Sequence, residues 1–413
     1  MNDLATTVVG FIPLLDCAPL AVAVEKGFAA EEGLDLRLVR ETSWANIRDR
    51  VVVGHFDAAH MLGPMAIAST LGVGHLKVPM AAPLSLGLGG NAITVSVRVW
   101  EAMSQNVDLG GGGAPADPRA LGEALRSFVR ARERSQKPPL TFAMVYPFSC
   151  HNYELRYWLA ACGIDPDRDV RLVVIPPPLL VDAMREGQID GFCVGEPWNS
   201  LAVAVGVGCI AVPTTAIWRL SPEKVLGCRL EWTQRHPDRL QALVRALYRS
   251  ALWCEDRSNH AELSRLLAEP RFVGAPADIL LRGLSNQLRL QPDGELREAP
   301  NFYLPATQAA TFPWVSHALW FYSQMVRWGQ VTFQPEHVAQ VRATYRPDLY
   351  RLALAKSQAN IPLSDTKVEG SQRAASTIAA SSEPLHFGPD GFFDERRFDP
   401  DQLQTYLHEL SDA

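Results

Sequence analysis

Residues 8–39 read VVGFIPLLDCAPLAVAVEKGFAAEEGLDLRLV, and they set the fold class. A short apolar run at 8–13 ends in Pro13. After the turn around Asp16 and Pro19, residues 21–29 carry the alanine- and valine-rich pattern of a buried helix, and residues 34–39 alternate as a second strand. Strand, helix and strand in so short a span predict a parallel βαβ unit. The pattern continues with a helix at 47–53 and a strand at 58–61. A second α/β unit opens with a strand at 141–145, followed by a helix at 154–162, a strand at 170–175, a helix at 179–186 and a strand at 191–194.

Beyond Trp198 the character changes. Long helices are expected at 237–253 and 261–267, and a tryptophan-rich segment runs over 314–328. Residues 110–118 (GGGGAPADP) read as a flexible insertion between the α/β units. Residues 357–383, rich in Ser, Ala, Gln and Lys, read as a loose strap. Asp399 can cap, and Pro400 can start, a final short helix over 401–410. The expected organisation is α/β with two lobes. Lobe 1 comprises residues 1–95 and 203–413, with the C-terminal helices and strap, and lobe 2 comprises residues 96–202.

Composition narrows the function. The chain has 413 residues, 47% hydrophobic and 20% charged, with a formal net charge of -6. A nucleic-acid surface requires clustered Lys and Arg, so direct DNA or RNA binding is not expected. No apolar run reaches the length of a membrane span. Residues 1–7 carry no basic residue and no apolar core of the secretory type, which leads to the expectation of a cytoplasmic protein. The seven cysteines, Cys17, Cys150, Cys162, Cys193, Cys209, Cys228 and Cys254, are odd in number and lack paired zinc-type spacing, so buried reduced thiols are expected and no metal site. Cys150 and His151 are adjacent in sequence but lack the surroundings of a nucleophile–base pair. Neither GxGxxG nor GxxxxGK[ST] occurs. An enzyme is therefore not expected, and no cofactor is called for.

Six stretches, in order, carry a resemblance spanning nearly the whole chain: residues 10–36, ETSWANIRD (41–49), DAAHMLGPM (57–65), LRYWLAACGIDPDRDV (155–170), VIPPPLLVDAMREGQIDGFCVGEPWN (174–199) and FFDERRFDP (392–400). Together they resemble the nitrate- and bicarbonate-binding proteins of ABC transporters. The resemblance implies a two-lobed, type II periplasmic-binding-protein fold with a ligand cleft between the lobes. Members without an export signal are similar to cytosolic nitrate/nitrite sensors of the NasS type. That similarity implies a sensor that holds an RNA-binding antiterminator as its partner and releases it when ligand binds. The other reading is the solute-binding component of a nitrate-type ABC transporter.

The same register implies the ligand residues. Lys224, in SPEKVLGCR, falls where nitrate binders carry lysine and bicarbonate binders glutamate, and His151 falls on the nitrate-type histidine. Trp44 matches the pocket tryptophan, with the backbone N–H groups of Trp44 and Ala45 as further donors. Asn91, in GGNAITVS, stands where the transport-associated nitrate binders have glutamine, one methylene longer. Read in isolation, Lys224 is a surface charge, His151 and Trp44 are core residues, and Asn91 is a turn residue. Nitrate is planar and only accepts hydrogen bonds, which suits a cation with several donors. One ammonium contact supplies at most ~4 kcal/mol gross at an effective dielectric near 20, while micromolar binding needs about 8 kcal/mol. Lys224 therefore needs the other donors. Trp44, Asn91 and Lys224 are expected on lobe 1 and His151 on lobe 2.

Overall fold

The computed structural model describes residues 5–74, 76–105 and 117–411. Ten strands build its two main sheets: β1 (Ala5–Phe11), β2 (Leu34–Arg40), β3 (Ala58–Leu62), β4 (Met80–Ser85), β5 (Asn91–Ser96), β6 (Leu140–Met144), β7 (Val170–Val174), β8 (Gly191–Gly195), β9 (Gly208–Pro213) and β10 (Lys224–Arg229). The first sheet runs β2-β1-β3-β10-β4 and the second β9-β5-β8-β6-β7. Within the first, β1 lies parallel to β2 and β3, whereas β10 is antiparallel to β3 and β4. The second repeats this plan, with β6 parallel to β7 and β8, and β5 antiparallel to β8 and β9.

The chain passes between the sheets twice, after β4 and after β9. Both crossings differ from the borders expected at 95/96 and 202/203, because β5 and β9 belong to the second sheet. Asn91 goes with β5, so it faces the cleft from the second lobe and not from the first. The reason is physical. Five of the six β5 residues are buried, and a strand buried on both faces gives no alternation to show which sheet it joins.

The expected helix at 21–29 is two helices, Ala18–Glu25 and Phe28–Glu31, separated at Gly27 with φ 77°. The long helix Pro237–Glu255 starts with proline at its first position and buries Leu240, Leu243, Val244, Leu247, Ala251 and Cys254, one stripe at helical spacing. This stripe packs on helix Ala18–Glu25, closing one side of the first sheet. No helix among the described residues is long and apolar enough to cross a membrane.

Two corrections concern flexible segments. Most of the insertion expected at 110–118 lies outside the described residues. Its last two residues are ordered: the Asp117 carboxylate accepts from Arg119 N, and Pro118 opens the helix Pro118–Arg134. The strap at 357–383 is held in place. Glu369 is fully buried, accepts from Ser316 Oγ at 2.6 Å, pairs with Lys367 and lies 3.4 Å from His317 Nε2. Strand Ser376–Ile378 pairs with Leu385–Phe387. Low-hydrophobicity composition cannot reveal one buried carboxylate with three partners. The final helix spans Leu403–Ser411, two residues later than its expected start, while Asp399 Oδ1 accepts from Asp401 N.

Candidate functional site

Two serine-capped helices aim at the seam between the sheets. Ser43 accepts from Asn46 N and opens helix Trp44–Val52. Ser149 Oγ accepts from Asn152 N at 3.0 Å and opens helix Cys150–Ala161. Each cap fixes the first turn, whose leading N–H groups have no partner inside the helix. Trp44 and Ala45 occupy one such turn, and Cys150 and His151 the other. Asp16 follows the carboxyl end of β1, in the turn Leu15–Cys17, the place where open α/β sheets form ligand crevices. Lys224 begins β10 and Asn91 begins β5.

These residues converge on Lys224. Its ammonium lies 2.8 Å from Asp16 Oδ2, 3.3 Å from His151 Nε2 and 3.5 Å from Asn91 Oδ1, and it pairs with Glu223. The Asn91 amide donates to Glu154 Oε2 at 3.2 Å and also to Glu223. His60 Nδ1 accepts from Ile12 N at 3.4 Å, so in the neutral ring Nε2 carries the proton and faces Asp16 Oδ1 at 3.0 Å. That last contact is close but poorly aligned, since neither atom completes a hydrogen bond. Lys224, His151, Asn91 and His60 are all wholly buried. A ligand can therefore reach them only when the two lobes separate.

Burial and charge pull the titrating groups apart. Burial works to raise Asp16, but Lys224 and His60 outweigh it and hold this carboxyl well below the usual range. For Lys224, burial acts downward and the carboxylates of Asp16 and Glu223 raise it above the ordinary lysine value. His151 is pushed well down, first by burial and then by Lys224. Burial also lowers His60, against the pull of Asp16. Glu154 is driven well up by burial and by Glu223. Near neutral pH the set therefore holds an ionised Asp16, a charged Lys224 and two neutral imidazoles.

Cys150, His151 and Glu223 bring a sulfur, an imidazole nitrogen and a carboxylate oxygen within 4.8 Å of one another, although no sequence spacing suggested a metal site. The Lys224 ammonium touches both His151 and Glu223, and a second cation beside it would be repelled at short range. Burial also pushes the Cys150 thiol well up, leaving it protonated and a poor ligand. The trio suits hydrogen bonding in an anion site better than metal coordination. All seven cysteines are free and buried, as expected.

A family model described as the NMT1-like family matches residues 3–268. The chain belongs to this family. Among its relatives, the nitrate/nitrite binding protein NrtA of Synechococcus elongatus is 34% identical over 418 residues, covering 97% of this chain and 85% of the relative. The bicarbonate-binding protein CmpA of a Synechococcus species is 30% identical over 425 residues, covering 99% and 87%. The crystal structure of the periplasmic nitrate-binding protein NrtA from Synechocystis PCC 6803 superposes with a TM-score of 0.84 at 28% identity, covering 99% of both chains. The chain spans only about half the length of a longer relative, the nitrate import ATP-binding protein NrtC of Synechocystis: 48%, at 38% identity. These likenesses support the two-lobed, type II binding-protein fold, and the relatives named above are binding and transport proteins.

Within this NMT1-like fold, three of the five residues chosen from sequence, Lys224, His151 and Asn91, meet at one point. Trp44 stands back from that point, behind His60 and Asp16: its ring lies 5.4 Å from that of His60, and its buried indole Nε1 has no acceptor. Ala45 is half-buried on the same first turn, with no side-chain polar group to contribute. Asp16, His60, Glu154 and Glu223 were not chosen. Asp16 and His60 are polar residues inside apolar runs, which is the available signal for them; Glu154 and Glu223 lie in polar surroundings that give none.

Proposed function

We propose that this chain is the ligand-binding member of a nitrate system, taking nitrate or nitrite between its lobes. The observation that carries the reading is the meeting of polar groups from both lobes at Lys224, with Asn91 and His151 on one side and the ammonium on the other. A planar monoanion placed there can accept from the ammonium, the Asn91 amide and the Trp44 indole. Lysine at position 224 favours this class over bicarbonate, which has its own proton to donate. The names of the relatives support a solute-binding component of a nitrate-type ABC transporter. The finer reading from the sequence resemblance is a cytoplasmic sensor that holds an RNA-binding antiterminator and releases it on closure. To release a partner almost completely, the ligand must favour the closed form about 10⁴-fold.

The test is calorimetry of ligand-stripped protein against nitrate, nitrite, bicarbonate and sulfate, with the Lys224→Ala variant alongside. Micromolar nitrate or nitrite binding that vanishes in the variant supports the reading. Bicarbonate binding alone, or none, sinks it. Co-purification of an RNA-binding protein that nitrate elutes supports the sensor role; a membrane permease retained instead supports the transporter role.

A further inference from the structure

We propose that Glu223 takes up one proton when an anion binds beside Lys224, and that this restricts the site to monoanions. The inference rests on the proposed nitrate or nitrite reading and adds a residue that the sequence did not single out. Glu223 is buried and touches the same ammonium as Asp16. It also shares the Asn91 amide with Glu154, so two carboxyl groups depend on one NH₂.

The groups facing Glu223 come from several elements. Asp16 approaches from the turn after β1, Asn91 from β5, Cys150 and Glu154 from helix Cys150–Ala161, and Lys224 from the next position in the chain; Tyr345, following helix Pro335–Thr344, lies within electrostatic range. With Glu223 ionised, the buried set of Asp16, Glu223 and Lys224 carries one net negative charge. A nitrate added to it would make two, without water to spread them. Protonating Glu223 brings the set to neutrality and leaves only the charge of the ligand. Burial already raises the proton affinity of Glu223, and Lys224 is the main restraint on it, with a smaller one from Cys150; an anion that draws on the ammonium relaxes the larger restraint.

The balance is simple: one monoanion and one hydronium-derived proton enter, and no bond to the anion forms or breaks. A dianion would require a second proton. The nearest remaining carboxylate is Asp16, which Lys224 and His60 hold ionised. Sulfate is therefore excluded by charge, although it would accept the same donors.

The experiment is calorimetric titration of the full chain with sodium nitrate, in buffers of different ionisation enthalpy at matched pH. The dependence of observed heat on buffer enthalpy gives the protons taken up. About one proton per nitrate is expected above neutral pH, with Kd rising up to tenfold per pH unit. The Glu223→Gln variant, which carries the neutral shape permanently, should bind with no uptake and a flat pH profile. Nitrate binding with zero uptake by the wild type overturns the inference while leaving the nitrate reading intact. Unchanged uptake in Glu223→Gln, or sulfate bound as tightly as nitrate, also overturns it. Absence of any nitrate or nitrite binding overturns both. Should Glu223→Gln fail to fold, the wild-type uptake and the sulfate titration decide.

Discussion

Lys224 Nζ and Asp16 Oδ2 lie 2.8 Å apart, and both residues belong to the first lobe, one at the start of β10 and the other just beyond β1. This pair, with Glu223, can stay together when the lobes part. The contacts of Lys224 with Asn91 and His151, and of Asn91 with Glu223, cross the cleft and must break. The cleft thus divides into a charged half that is complete within one lobe and a mostly neutral, hydrogen-bonding half on the other.

Lys224→Met should remove anion binding and also destabilise the fold. Deleting one partner of a buried ion pair leaves Asp16 and Glu223 facing each other without a counter-charge, at a cost of about 3–5 kcal/mol. Urea unfolding beside calorimetry checks both effects. A variant of wild-type stability that still binds nitrate would contradict this role.

His151→Ala should affect closure more than first contact, because His151 meets Lys224 only across the cleft. Small-angle scattering is the readout: the wild type should compact with nitrate and the variant should not. Full compaction of the variant would show that closure does not depend on this imidazole.

Trp44→Phe should leave stability within about 1 kcal/mol, since the lost indole Nε1–H is buried without an acceptor in the fold. If that N–H donates to the anion, nitrate affinity should fall roughly tenfold, the scale of one hydrogen bond. Unchanged affinity would show that Trp44 serves only as a wall.

Glu369→Gln should loosen the C-terminal segment. Burial opposes ionisation here, but Lys367 and His317 outweigh it and hold the carboxyl down from 4.5 to about 2. A lowered carboxyl pKa stabilises the fold above the unfolded value, and that stability is lost as pH falls from 4.5 towards 2. By this difference Glu369 contributes about 3 kcal/mol near neutral pH. Thermal unfolding across that range should show wild type and variant converging at low pH. A constant gap between them would assign the effect to packing.

Much of the local structure was legible. The run at 8–39 carries its strands and helices openly, because apolar spacing reports on which faces are buried. Lys224, His151 and Asn91 were found through register across the six stretches, since nothing about a lysine in a Pro-Glu-Lys turn announces burial. Asp16, His60 and Glu154 stand in or beside the same stretches and Glu223 next to Lys224, but they cannot be recognised as partners from sequence, because a charge reveals its counter-charge only when distant strands are placed side by side. Asn91 was assigned to the wrong lobe for a related reason: β5 is nearly uniformly buried.

The sequence by itself determined the α/β class, the two-lobed family fold and the identity of the central cation, properties set by local periodicity and ordered motifs. Only the tertiary structure decided which sheet each crossing strand enters, that Glu369 pins the strap, and that the ammonium of Lys224 is shared among Asp16, Glu223, Asn91 and His151. Those features depend on charge balance among residues far apart in the chain, in a buried space where an unpaired ion is too costly to leave alone.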